Sequence, residues 1–114
     1  MNLLLRIIIT AISAVIAAYI LPGVAIADFT AAIIFAAVLA VLNGILKPIL
    51  VVLTIPITVF TFGLFLLAIN AGMIMLAGYF VKEFYVANFW WALLFSIILS
   101  FISSLLGINS TRSR

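Results

Sequence analysis

The residues able to do chemistry gather in one block. Leu42-Asn43-Gly44-Ile45-Leu46-Lys47-Pro48 is followed by Thr54, Pro56, Thr58, Thr61, Gly63 and Asn70. Asn43 and Lys47 stand four residues apart, so they share one face of a helix. The block offers hydrogen bonds and one cation, but no catalytic set. The chain contains no histidine and no cysteine, and its acids are Asp28 and Glu83 alone. The usual transition-metal ligand sets and activated nucleophiles are therefore missing, and so is a carboxylate pair within the apolar segments for acid–base work. There is no Gly-rich phosphate loop. The residues point to a protein that is not an enzyme, with no cofactor and no metal.

Composition fixes the surroundings. Of 114 residues, 70% are hydrophobic and 6% charged, against roughly 45–50% and 25% in a soluble domain. A core of this size could not hide so much apolar surface, and disorder needs low hydrophobicity. The sequence is that of an integral membrane protein. A net charge of +3 then reflects orientation signals and anionic headgroups rather than nucleic acid.

Charges divide the chain into uncharged stretches at 7–27, 29–46, 48–81 and 84–111. About 20 helical residues cross a bilayer. The first, second and fourth stretches each hold one span, while the third is too long for one and too short for two. Pro48 suits the first turn of a new helix, Pro56 biases Ile55 away from helix, and Gly63 is a further weak point. The expectation is an all-α membrane domain over 1–108 with spans near 3–21, 29–46, 62–81 and 89–107. A short proline-broken element over 48–61, re-entrant or interfacial, lies between the second and third spans. A polar tail, 109–114, follows. With four spans, Arg6, Lys47, Arg112 and Arg114 share one side and Lys82 the other, so both termini are expected in the cytoplasm. Five spans would divide the cations three against two. Tyr19, Phe29, Tyr79, Phe84, Tyr85, Trp90 and Trp91 gather at the opposite level, where aromatic rings prefer headgroups. Arg6, the apolar run and Ala25-Ile26-Ala27 also imitate a cleavable leader, but the run to Leu21 is long and reads as a span. No internal repeat stands out.

Within that frame the polar block has two readings. An unpaired amide at Asn70, deep in the third span, would cost several kcal/mol. It therefore needs a threonine hydroxyl or a freed carbonyl of the 48–61 element. In the structural reading the amides clamp that element and Lys47 snorkels to headgroups. In the functional reading the same side chains line a polar path or gate. The structural reading is preferred, because intramembrane hydrogen bonds are commonly modest packing devices. Small residues at four-residue spacing mark helix-contact faces. They form one ladder at Ala32, Ala36, Ala40 and Gly44, and a second at Ala92, Ser96, Ser100 and Ser104. Both read as packing within the chain; a sharper reading has the serine ladder joining subunits into a homo-oligomer.

The block also carries a resemblance. Leu42-Asn43-x-x-Leu46-Lys47-Pro48-Ile49-Leu50, Thr54-Ile55-Pro56-Ile57-Thr58, Thr61-Phe62-Gly63-Leu64-Phe65 and Ile69-Asn70-Ala71 resemble the bacterial YvlD-like family, classed as four-transmembrane-segment phage holins (superfamily four). Leu21-Pro22-Gly23-Val24 and Phe89-Trp90-Trp91-Ala92 agree with it. The resemblance implies a bacterial inner-membrane protein with four spans and no catalytic residues to carry over. The expected role is in the cell envelope, as a holin-like pore or a non-catalytic membrane component. A scaffold or accessory subunit acting through a membrane partner is the alternative, and a small-solute channel or transporter comes third.

Overall fold

The computed structural model describes residues 2–112, with side chains through Gly107. Five helices and two short strands follow in the order α1 (Leu3–Ile20), β1 (Val24–Ile26), α2 (Phe29–Leu53), α3 (Ile55–Phe60), α4 (Phe65–Phe80), β2 (Phe84–Val86) and α5 (Phe89–Arg112). The helices α1 and α2 and the Phe89–Gly107 part of α5 are long and apolar enough to cross a membrane. Helix α4 is shorter, about 24 Å at 1.5 Å per residue, and crosses with the turns at its ends. Exposed apolar side chains such as Leu4, Ile16, Val41, Ile45, Leu94 and Phe101 cover the outer faces, as lipid requires.

Helix α1 packs on α2 and α5, and α4 packs on α5 and α2; the diagonal pairs do not pack backbone to backbone. The result is a square four-helix bundle. Its two loops are tied together at one end by an antiparallel ribbon with register Val24↔Val86, Ala25↔Tyr85 and Ile26↔Phe84. The ribbon is extended by Ala27 N–H to the Glu83 carbonyl at 3.0 Å and Ala87 N–H to the Gly23 carbonyl at 2.9 Å.

That register exposes a repeat that the sequence conceals. Residue 25 pairs with residue 85, and an offset of sixty residues superposes the two halves of the chain. Ile9, Ala11, Ala17, Tyr19, Ala27, Phe29, Ala32, Phe35 and Leu39 recur as Ile69, Ala71, Ala77, Tyr79, Ala87, Phe89, Ala92, Phe95 and Leu99. Burial repeats with them: Ile9, Ala11, Ser13, Ala14, Ala17, Leu21 and Val24 are buried, and so are Ile69, Ala71, Met73, Ile74, Ala77, Val81 and Phe84. Capping repeats too, since the Asp28 carboxylate accepts from Ala31 N–H at 2.8 Å and the Asn88 amide oxygen from Trp91 N–H at 3.1 Å. Each half is a helix–strand–helix unit in the same orientation. A pseudo-twofold axis along the bundle therefore runs through the Ala25–Tyr85 pair, which corrects the reading that no repeat is present. Few positions are identical, and apolar residues substitute freely for one another in lipid, so the sequence signal is faint.

The proline-broken element also differs in extent. Helix α2 continues to Leu53 with Pro48 inside it, so Pro48 does not open a new helix. In lipid, ending a helix would strand several backbone groups, whereas an internal proline frees essentially one carbonyl, that of Gly44. The break comes at Thr54, followed by the six residues of α3, which has Pro56 in its first turn and no buried residue. A helix this short, about 9 Å, cannot be a fifth span. It has no protein shielding it from lipid, so it fits the interfacial form of the expectation. The chain then reverses through Phe62 (φ 56°) and Gly63 (φ 86°), both left-handed. Glycine adopts that conformation freely, but a bulky aromatic seldom does. The Phe62 ring is 96% exposed. The backbone of α5 runs through Arg112, so the first residues of the 109–114 tail continue the helix. The side chains beyond Gly107 and residues 113–114 lie outside the described residues.

Gly23 sits directly beneath the Trp91 indole: a Cβ there would lie 2.1 Å from a ring atom, whereas one at Gly72 would meet open space. Gly23→Ala should therefore cost about 1–3 kcal/mol, the usual size of overpacking. Gly72→Ala should be neutral or gain up to about 1 kcal/mol from helix propensity. Thermal unfolding of the purified protein in one detergent checks both. A Gly23→Ala protein as stable as the parent would mean that the indole yields freely.

Candidate functional site

Packing is uneven along the bundle. At the ribbon end the axis is filled by aromatic rings: Phe35 stacks on Phe84 with centroids 4.2 Å apart and planes at 16°. Phe35 also meets its repeat mate Phe95 edge-on at 5.9 Å and 70°, and Phe84 lies 5.5 Å from Phe95. Alanines at 14, 17, 71, 77 and 92, all fully buried, bring the helix backbones close around these rings. Phe84 is therefore a core residue and not part of the aromatic belt expected from sequence. Tyr19, Tyr79, Tyr85 and Trp90 are exposed at that level. Phe35, Phe84 and Phe95 are all buried, so side chains fill the axis at this level.

Towards the α3 end the filling stops. No residue of α2 beyond Leu39 is buried. There a cleft of about 100 Å³ opens between α2, α4 and α5. Its polar lining is Asn43, Lys47, Asn70, Ser96 and Ser100, and its apolar wall is Leu39, Met73, Ile74 and Leu99. A smaller notch of about 40 Å³ between α1 and α2 is lined by Arg6, Thr10 and Asn43 among others. Asn43 thus stands between the two. Both acidic side chains are at the ribbon end, Asp28 capping α2 and Glu83 in the turn before β2. Lys47 lies about 28 Å along α2 from Asp28. Among the described residues, the α3 end is cationic with no carboxylate side chain.

The structure divides the polar block. Asn43, Lys47 and Asn70 come together with Ser96 and Ser100. The threonines and prolines of 54–61 do not join them. Thr54 donates its hydroxyl to the Leu50 carbonyl at 2.7 Å. Thr61 donates to Thr58 O at 3.2 Å and accepts from Phe65 N–H at 3.1 Å, which ties the turn at Gly63 to α4. The Thr58 hydroxyl is buried and has no partner. Asn70 therefore faces the cleft instead of clamping the broken element. Each residue along a helix turns the side chain by about 100°, and spacing in sequence does not show whether Asn70 looks toward α3 or toward α5. Pro48, Pro56 and Gly63 shape the backbone only.

The two ladders prove to be repeat mates, Ala32, Ala36, Ala40 and Gly44 matching Ala92, Ser96, Ser100 and Ser104. Ala32, Ala36, Ala92 and Ser96 are buried inside the bundle, Ser96 donating to the Leu93 carbonyl at 2.8 Å. Ala40 is half-buried, and Gly44, Ser100 and Ser104 are exposed. A four-residue stripe drifts about 40° per step around a helix of 3.6 residues per turn. Each ladder therefore starts in the core and ends on the outside. Sequence reasoning named Ser96 and Ser100 only as contact residues and missed their place beside Asn70.

The comparisons agree with this architecture. The model of the family described as "Mycobacterial 4 TMS phage holin, superfamily IV" matches residues 1–105. The uncharacterized membrane protein YvlD of Bacillus subtilis (strain 168) is 38% identical over 81 residues, which are 70% of this chain and 68% of that one. The uncharacterized protein SCO3922 of Streptomyces coelicolor is 39% identical over 75 residues, 62% of this chain and 60% of that one. No solved structure matches. Four apolar helices, the Asn43-to-Asn70 block and a match spanning nearly the whole chain lead to one conclusion: the protein is a membrane protein belonging to the four-transmembrane-segment phage holin family of superfamily IV.

Proposed function

We propose that the chain is a non-enzymatic, self-associating component of the bacterial inner membrane with a role in the cell envelope, and that any aqueous hole it makes lies between subunits. The observation that carries this reading is the aromatic seal of Phe35, Phe84 and Phe95, which fills the axis of one bundle at the ribbon end. The exposed lower rungs of the ladders, Gly44, Ser100 and Ser104, supply small side chains where a second copy can approach closely. The parallel repeat brings the transporter reading up to second place, because some transporters are built from parallel halves related by an axis along the membrane normal.

Leakage of graded dyes from liposomes, read beside the mass of the intact assembly, tests the proposal. Ser104→Leu should shift the mass distribution toward monomer and abolish leakage, while Phe35→Leu should leave the leak size unchanged. The reverse pattern would place the path inside the bundle. No leakage from an intact oligomer would favour a scaffold acting through a partner.

Orientation is tested separately. The chain has no cysteine, so an introduced one reports alone. Both termini are proposed to face the cytoplasm, from the bias of Arg6, Lys47, Arg112 and Arg114 against Lys82. A cysteine at Glu83 should label from outside intact cells, and one at Asn2 should not; labelling at Asn2 would invert the topology.

A further inference from the structure

We propose that the cleft between α2, α4 and α5 is a binding site for a phosphate-type oxyanion, either a lipid headgroup phosphodiester or a free anion. The inference concerns a single chain and does not depend on assembly.

The lining sets the charge of the ligand. Lys47 brings an ammonium with three N–H donors, Asn43 and Asn70 bring amide N–H pairs, and Ser100 brings a hydroxyl. No carboxylate side chain lines the cleft, and Arg6 adds a second cation on the far side of Asn43. A metal or organic cation would be repelled by Lys47, and the lining has no aromatic face on which a sugar could stack. The site's size suits a small anion: about 100 Å³ holds about three waters at ~30 Å³ each. The wall of Leu39, Met73, Ile74 and Leu99 lowers the local dielectric, which strengthens a charge-assisted hydrogen bond. The aromatic seal closes the ribbon side, so the ligand enters from the α3 end and stops there.

Two further observations support the site. An apolar groove of about 400 Å³ between α2 and α4, lined by Leu46, Leu50, Ile69, Gly72 and Leu76, shares Met73 with the cleft. A headgroup in the cleft thus has an acyl-chain path beside it, as in basic pockets between membrane helices that hold anionic lipids. The repeat also breaks here. Lys47 is matched by Gly107, Asn43 by Ser103 and Asn70 by Thr10. A packing demand common to both halves does not explain a cation and two amides gathered around one cleft, where the mates carry no charge and no amide.

The test uses the full chain in nanodiscs of phosphatidylglycerol or phosphatidylcholine, with retained lipid counted by native mass spectrometry. A second arm measures thermal stabilisation in detergent by inorganic phosphate. The parent should retain one phosphatidylglycerol per chain in preference to phosphatidylcholine. Lys47→Gln and Asn43→Ala should each lower that retention about tenfold, the scale of one hydrogen bond to a charged group. Asn43 is exposed, so its truncation should leave the fold intact. Lys82→Gln, at the opposite end, should change nothing. Stabilisation by phosphate that is lost in Lys47→Gln, without lipid preference, would identify the free anion as the ligand. Loss in Lys47→Gln with no effect of Asn43→Ala would mark a mere surface charge and overturn the site. So would equal retention of both lipids with no response to phosphate. The same spectra report subunit number, so a failed assembly and an empty cleft are read apart.

Discussion

The pairing of Val24–Ile26 with Phe84–Val86 is the constraint on which the rest of the bundle depends. A two-stranded ribbon alone is marginal in water, and helices in lipid gain no hydrophobic drive toward one another. Each compensates for the other here. The ribbon satisfies loop backbone groups at the membrane edge and holds the two helix pairs on a common axis. Asp28 and Asn88 cap the helices that leave it. Four helix ends are thus fixed at one level, and the alanines and phenylalanines packed just below them set the square cross-section. Away from the ribbon no second strand pair ties the helices among the described residues, and they leave the cleft and notch between them.

Much of this was legible in the residues. Hydropathy and the positions of seven charges fixed the class and the number of spans, because both follow directly from bilayer thickness. The break between the second and third spans was also visible, though its start was misplaced by six residues. Pro48 looks like a boundary when read locally, yet the surrounding lipid favours an unbroken backbone. The ribbon was not legible: Val24-Ala25-Ile26 and Phe84-Tyr85-Val86 are three residues each, within ordinary loop length. Their pairing depends on the fold bringing distant loops together.

The polar residues of the block part company in the fold for a related reason. The types of Asn43, Lys47 and Asn70 announced a polar cluster, but its membership depends on which helix faces which. Contacts between α2 and α4 and between α4 and α5 put Ser96 and Ser100 beside Asn70. Thr54 and Thr61 spend their hydroxyls on nearby backbone. Polar groups near a proline break are the obvious partners in sequence, and in the fold they serve the break itself.

The repeat gives these facts a common direction. Identity between the halves is densest around the ribbon, at Tyr19 and Tyr79, Ala27 and Ala87, Phe29 and Phe89, Ala32 and Ala92, and Phe35 and Phe95. Phe35 meets its mate Phe95 across the axis and Ala32 and Ala92 are buried, whereas Tyr19 and Tyr79 repeat on the exposed outer surface of the same level. Even the departures there compensate: Gly23 lies under Trp91, while the matching pair reverses large and small as Glu83 and Ala31. At the α3 end the departures do not compensate. Arg6 answers to Leu66, Asn43 to Ser103, Lys47 to Gly107 and Thr10 to Asn70, so charge and amides accumulate around Asn43 with no counterpart opposite. Symmetry is kept where packing requires it and lost where the bundle is open. A side chain lining an open cleft has no mate to fit, and its chemistry is free to be set by whatever enters.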